Sequence, residues 1–133
     1  MKSRTKIVTR NTRQKDAIRA AFVETDRPLS PEEALSYAKR SVDDISIATV
    51  YRNLKSMLDE GWLVQVRLPG EPPRYELSGK EHHHHFRCSD CKKVYELEGC
   101  VAALNPKLPR GFRLAGHDLL LHGFCAACVP KHA

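Results

Sequence analysis

Residues 46–68, SIATVYRNLKSMLDEGWLVQVRL, decide how the first part of this chain folds. Apolar side chains recur there every three or four residues, at Ile47, Val50, Leu54, Met57 and Leu58. This period predicts a helix over about 46–60 with one buried face, and it leaves the polar residues Thr49, Arg52 and Asn53 largely outside that face. Gly61 is placed to end the helix in a left-handed conformation, and 62–68 then reads as a strand.

Two more helices are predicted before this stretch and one more strand after it. Residues 12–24 place apolar side chains at helical spacing. Ser30-Pro31-Glu32-Glu33 is a strong helix start, because Ser30 and Glu33 can form a capping box, and this helix should run to about 40. A second strand at 74–77 follows the turn-rich segment 69–73. Three short helices and a hairpin predict a winged helix-turn-helix, whose third helix enters the major groove of DNA.

A second, smaller domain is predicted beyond the segment 78–87, SGKEHHHHFR. Strands are expected at 93–97 and 112–124. The residues between them, 99–108, have room for only a short helix, because Pro106 and Pro109 would end it.

Two CxxC pairs, Cys88-Ser-Asp-Cys91 and Cys125-Ala-Ala-Cys128, flank these strands and are separated by 33 residues. Two such pairs can place four thiolates around one Zn²⁺ at about 2.3 Å. A site of this kind has no open position, so it holds a fold together rather than catalysing a reaction. A single CxxC could equally be a redox pair, but two of them favour one structural zinc per chain.

The histidine run at 82–85 is the second candidate metal-binding feature. If the segment is extended, His83 and His85 face one way and His82 and His84 the other. Imidazole binds zinc, iron, copper and nickel, so the run does not choose a metal. Nearby carboxylates could complete one or two mixed sites, namely Glu76, Glu81, Glu96 and Glu98. A polar hinge that happens to be rich in histidine is the alternative.

The charge of the chain is concentrated at its start. Residues 1–20 hold seven lysines and arginines against one acid, an excess of six that equals the net charge of +6 of the 133 residues. A basic arm favours a polyanionic partner, although a solvated, frayed terminus is the alternative. No apolar run approaches the roughly 20 residues that cross a bilayer, and the start lacks the apolar core of a signal peptide. A cytoplasmic protein without a membrane partner is therefore expected.

Together these features resemble the ferric uptake regulator (Fur) family, which includes iron, zinc, manganese and peroxide sensors. The matching segments are 12–18, 29–33, 47–52, 75–77, 82–88 with Cys91, and His117 ahead of 125–128. The resemblance implies an α+β fold with a winged-helix DNA-binding domain at 1–78, a hinge at 79–85 and a zinc-clamped dimerisation domain at 86–133. It also implies a homodimeric repressor of palindromic operator DNA, with a second divalent metal (Zn²⁺ or Fe²⁺, or else Mn²⁺) as co-repressor.

The resemblance assigns site residues by position. A regulatory hinge site maps to Glu76, His83, His85 and Glu96. A second, weaker site maps to His82, His84 and His117, and Cys100 is either a further soft ligand or a buried apolar residue. DNA contacts are expected from Arg10, Arg13, Lys15, Thr49, Tyr51, Arg52, Asn53 and Lys55. For Tyr51, a partly buried core position is the alternative.

Several positions depart from the family's pattern. Pro28 stands where iron and peroxide sensors usually have a ligand histidine. Ser78 and Val64 stand where zinc sensors tend to have a cysteine and an aspartate, and His84 stands where the second site usually has an aspartate. These departures leave the sensed metal open between zinc and iron.

The sequence favours a regulator over an enzyme. A hydrolase would need a general base against an open metal position, and no such base is found; no small-molecule substrate is expected either. The remaining alternatives are a zinc-ribbon interaction module without metal sensing and a peroxide-responsive regulator.

Overall fold

A computed structural model describes residues 9–81, 83–99 and 107–131. The chain forms two compact units, Met1–Ser78 and Gly79–Ala133. No helix within the described residues is long and apolar enough to cross a membrane. The mixed helix and strand fold predicted from the sequence is confirmed.

The first unit contains three helices, α1 (Arg10–Thr25), α2 (Pro31–Ala38) and α3 (Ile47–Asp59). Each begins at a hydroxyl N-cap, since Thr9, Ser30 and Ser46 each accept a hydrogen bond from the backbone N–H three residues later. The capping box predicted at Ser30 and Glu33 is present in full.

A two-stranded hairpin completes this unit. Strands β1 (Leu63–Val66) and β2 (Arg74–Leu77) pair antiparallel. Gly61 ends α3 with φ +76°, as its place in the sequence predicts. Leu29, between α1 and α2, exchanges two backbone hydrogen bonds with Tyr75 of β2, at 2.8 and 2.9 Å. The hairpin is thereby attached to the helices, and the winged helix-turn-helix is complete.

The core lies where the three helices meet the hairpin. Its buried side chains include Ile18, Phe22, Leu29, Val50, Leu54, Met57 and Leu63. The periodicity placed two residues of α3 wrongly, because Ile47 is 37 % exposed and Thr49 is buried. Helical side chains lean towards the N-terminus, so at the first position of α3 Ile47 leans past the packed region. Thr49 bonds to the cap residue Ser46 through its hydroxyl and its backbone N–H.

The second unit is a three-stranded sheet of β3 (His84–Cys88), β4 (Val94–Leu97) and β5 (Leu120–Gly123), followed by a 3-10 turn at Val129–Lys131. Strand β3 is central, antiparallel to β4 and parallel to β5. The strand predicted over 112–124 is wrong for 112–119, which are exposed or only partly buried and have no strand partner in the described structure. Most of the short helix predicted at 99–108 falls on 100–106, outside the described residues.

Candidate metal centres and nucleic-acid interface

The four cysteines of the CxxC pairs meet at one end of the sheet. Cys88 ends β3 and Cys125 follows β5, so the parallel pairing of these strands brings the two CxxC turns together. Ligand atoms of all four residues lie within 4.8 Å of one another. The sulfurs of Cys91 and Cys125 are 3.9 Å apart. A zinc tetrahedron with bonds of about 2.3 Å has edges of about 3.8 Å, so this donor set fits one zinc ion.

The surroundings of Cys88 favour its thiolate. Burial by itself would raise the pKa of Cys88, but the backbone N–H groups of Cys125, Cys91 and Asp90 donate towards its sulfur and lower the pKa to about 6. Burial, together with the other three sulfurs, raises the pKa of Cys128 to about 12. Cys88 can therefore bind a metal as a thiolate at neutral pH. Cys128 needs the charge of a bound ion to lose its proton.

Two histidines of the run share one face of the second unit. The rings of His83 and His85 are in edge contact with centroids 4.8 Å apart, as alternation along an extended segment predicts. Glu96 of β4 is the cross-strand partner of His85, and its carboxylate forms an ion pair with Lys80. Glu76, the fourth residue assigned to the hinge site, is buried on β2 of the first unit, opposite Val64.

The other face of β3 carries a second histidine pair. His84 is buried, and its Nε2 lies 3.2 Å from Nε2 of His117. Two imidazole nitrogens turned towards each other provide two ligand atoms for one ion. His82, which the resemblance assigns to this site, and Cys100, a candidate further ligand, lie outside the described residues.

Of the four positions that depart from the family's ligand pattern, Pro28, Ser78 and Val64 lie in the first unit. Pro28 is fully buried in the core of the first unit. Ser78 donates a side-chain hydrogen bond to the carbonyl of Gly61, and Val64 is 41 % exposed on β1.

The residues expected to contact DNA divide into paired and unpaired cations. Arg10 is 2.8 Å from Asp44, and Lys15 is 2.9 Å from Glu60. In contrast, Arg13, Arg52 and Lys55 have no carboxylate within 4.0 Å among the residues that the structure describes. Tyr51 is 49 % exposed on α3 and is not part of the core cluster of the first unit.

Thr49 organises the polar side of α3. Its hydroxyl accepts from Arg52 Nη2 at 3.0 Å, and its carbonyl accepts from Asn53 Nδ2 at 2.9 Å. These side chains line a cavity of about 390 Å³ between α1 and α3, together with Asn11, Thr12, Gln14 and Lys15. Gln14 was not predicted as a site residue, because a lone glutamine in an amphipathic helix gives no signal of its burial.

A winged helix followed by a small sheet unit with a four-thiol cluster and paired histidines defines the class of metal-responsive transcriptional regulators. Comparison with known proteins identifies the family within this class. The sequence model of the ferric uptake regulator family matches residues 6–122, and the chain belongs to this family. Its members are transcriptional regulators and not enzymes, which confirms the expectation from the sequence.

Individual relatives agree with this membership. The chain is 30 % identical to a ferric uptake regulation protein of Campylobacter jejuni, over 92 % of this chain and 81 % of the relative. It is 36 % identical to the corresponding Escherichia coli protein, over 66 % and 64 % respectively. Among solved structures, it is similar to a zinc-bound manganese uptake regulator, with a TM-score of 0.74 and 30 % identity over 88 % of this chain and 91 % of that one.

Proposed function

We propose that this chain is a repressor that binds a palindromic operator duplex as a homodimer when a divalent metal occupies a regulatory site at the hinge. It would thereby control zinc or iron homeostasis. The observation that carries the DNA-binding part is the set of cations without an acidic partner, Arg13, Arg52 and Lys55, beside the exposed ring of Tyr51. Unpaired cations on the first and third helices of a winged helix can neutralise phosphates while α3 lies in the major groove.

The four cysteines would hold one structural zinc per chain. Their mutual distances match a thiolate tetrahedron, and all four thiolates would be used by the ion. The zinc would supply folding free energy to a unit whose described sheet has only three short strands. Because this site leaves no open position, a sensing metal must bind elsewhere.

The regulatory site would be formed by Glu76, His83, His85 and Glu96. On the second unit, His83 and His85 share a face and Glu96 is the strand partner of His85, which places nitrogen and oxygen donors together. Glu96 is paired with Lys80, so a metal that takes this carboxylate displaces an ammonium group. Glu76 on β2 would add a ligand from the winged-helix unit, and the metal would select one arrangement of the two units. A 100-fold gain in DNA affinity needs only about 2.7 kcal/mol of coupling.

A second, weaker site would use His84 and His117, with His82 and Cys100 as further ligands. The two Nε2 atoms at 3.2 Å support this assignment. The ferric uptake regulator of Helicobacter pylori, a similar protein, has three functional metal binding sites, which supports more than one site here.

A homodimer is supported by the apolar surface of the second unit. Exposed apolar side chains are concentrated there, at Leu108, Phe112, Leu114, Leu121, Phe124 and Val129. Apolar side chains exposed in this number favour an interaction surface on this unit. A second copy of the chain would cover it, and a two-fold dimer presents two recognition helices to two half-sites about one helical turn apart.

The direct test is fluorescence anisotropy of an A/T-rich palindromic duplex with the full chain, after chelation and after addition of Zn²⁺, Fe²⁺ or Mn²⁺. We expect one of these metals to strengthen binding about 100-fold, and sedimentation of the same samples to show two chains per duplex. If the duplex is bound with equal affinity under all conditions, the sensor proposal is wrong. If the duplex is not bound at all, the interaction-module alternative takes its place.

The assignment of His83 to the regulatory hinge site can be tested by substituting this residue. His83→Ala should abolish the metal response of DNA binding and still retain one zinc per chain, because His83 is not part of the four-cysteine cluster. His122→Gln, at an exposed histidine on β5, is the matched control and should respond like the wild type. Loss of the zinc from His83→Ala would show that the histidine belongs to a different site.

A further inference from the structure

Gln14 lies at the wall of the cavity between α1 and α3. Gln14 is 5 % exposed. Within the described residues no side-chain hydrogen bond of Gln14 is found, although it lines the cavity of about 390 Å³. Its amide atoms are not among the side-chain polar atoms that are shut off from solvent, so they are accessible from the cavity. A ligand that enters the cavity can accept a hydrogen bond from the Gln14 amide.

The other groups around the cavity are arranged for an anion. Asn11 and Thr12 belong to the first turn of α1, where the helix dipole is positive. The backbone N–H of Thr12 is used by its bond to the cap residue Thr9, whereas that of Asn11 has no acceptor within the helix. The first turn of α1 contains no acid to use this potential. On the opposite wall, the bond to Thr49 fixes the guanidinium of Arg52, which keeps further N–H donors available.

The two cations of the cavity are not equivalent. Lys15 already donates to Glu60 at 2.9 Å, and the same carboxylate is 3.3 Å from Arg19. Arg52 has no carboxylate within 4.0 Å among the described residues. Arg52 therefore supplies the uncompensated positive charge, while Gln14 supplies a neutral donor.

We propose that this cavity is an oxyanion site that holds one backbone phosphate of the bound duplex, with Gln14 Nε2 donating to a phosphate oxygen and Arg52 providing the charge. The proposal rests on the DNA-binding function proposed above. A phosphate in this place would dock the N-terminus of α1 on the DNA backbone. Contacts of this kind fix the register in which a recognition helix enters the groove. Gln14 would then be a binding residue without a role in reading bases.

Side-chain amide resonances give the most direct test. The NH₂ signal of Gln14 in a ¹⁵N-labelled full chain should shift when an A/T-rich duplex is added, and should shift in the same direction with millimolar inorganic phosphate. Gln65, exposed on β1, is the internal reference for phosphate. If the Gln14 signal stays unmoved by a duplex that is demonstrably bound, the proposal is overturned. A shift with phosphate but not with bound duplex would overturn the assignment to DNA.

Variants separate binding from folding. Gln14→Met keeps the length of the side chain and removes the donor, so DNA binding should weaken about tenfold, since hydrogen bonds to charged groups are among the stronger ones. The slope of log K against log salt should stay unchanged, because no charge is lost. Arg52→Gln should make that slope shallower by about 0.9. Since the Gln14 amide has no side-chain hydrogen bond within the described residues, methionine should leave the melting temperature about equal. The affinity for DNA should therefore fall without a parallel loss of stability.

Gln14→Glu is the isosteric counterpart. A carboxylate in the cavity would repel the phosphate, and binding should weaken well beyond the loss for Gln14→Met. Wild-type affinity in both variants would overturn the proposal. If the wild type binds no duplex, the proposed function fails instead, and the shift of the Gln14 signal with inorganic phosphate still decides whether the cavity is an oxyanion site.

Discussion

At the residue scale, the cysteines and Thr49 differ in how far the sequence determines their role. The four cysteines come together because two residues between thiols impose a tight turn, and strand pairing brings the two turns to one end of the sheet. The local spacing of the cysteines is therefore sufficient to predict most of this site. Thr49 combines a cap bond to Ser46 with bonds from Arg52 and Asn53, and its burial depends on how α3 packs.

Zinc content tests the role of a single thiol. Cys91→Ser should abolish the tightly bound zinc, because a hydroxyl is a much poorer zinc ligand than a thiolate and three sulfurs leave the tetrahedron open. Elemental analysis of protein purified without added metal should fall from one zinc per chain to none, and the sheet unit should unfold at lower temperature. Ser89 lies in the same turn and bonds to Gly123 and Lys92 through its backbone, which alanine keeps, so Ser89→Ala should keep the zinc. A fully loaded Cys91→Ser protein would contradict the four-thiol site.

Residue types and spacings predicted the candidate ligands, but not the burial of polar side chains. Gln14 and Thr49 lie in helices whose apolar period the sequence displays, and that period treats both as surface residues. Their burial results from the approach of α1 and α3, which is a property of the tertiary structure. The contact of His84 with His117 likewise joins residues 33 positions apart, and only the family resemblance linked them.

At the scale of elements, the C-terminus of α3 is stabilised from outside the helix. Asp59 and Glu60 place negative charge at the negative end of its dipole, and its last turn has no basic residue. Lys15 and Arg19 of α1 supply the missing cations to Glu60. The hydrogen bond from Lys15 is the main cause that lowers the pKa of Glu60. This pair of helices therefore depends on pH for part of its stability.

The sign of this dependence follows from the direction of the shift. A carboxyl whose pKa is lowered on folding stabilises the protein above its unfolded value of 4.5, and the contribution is lost as the pH falls through the folded value. Glu60→Gln should therefore lower the midpoint of urea unfolding at pH 7, and the difference from wild type should shrink below pH 4.5. Glu24→Gln, an exposed acid elsewhere on α1, should show no such trend. A difference that is constant with pH would show that Glu60 acts through packing instead.

Elements with a strong local pattern were predicted well from the sequence, and the others were not. The helices begin within about two residues of their predicted starts, because caps and apolar periods are local signals. The strand predicted at 112–124 is reduced to Leu120–Gly123. A strand needs a neighbour with free backbone groups, and within 112–124 only these four residues pair with β3.

At the scale of the whole molecule, the proposed function couples metal binding to DNA binding through the two units. The winged-helix unit carries the unpaired cations, and the sheet unit carries the thiol cluster and the histidine pairs. If one metal links the two, its binding free energy and that of DNA are coupled and the coupling is reciprocal. A metal that strengthens DNA binding by a given factor must itself be bound more tightly on DNA by the same factor.

This reciprocity provides the most direct test of metal-linked DNA binding. Affinity for the regulatory metal is measured by competition with a chelator, for zinc-loaded full-length protein alone and saturated with palindromic duplex. The account predicts about 100-fold tighter metal binding in the presence of the duplex, equal to the gain in DNA affinity that the metal produces. Equal metal affinity with and without DNA would contradict the account.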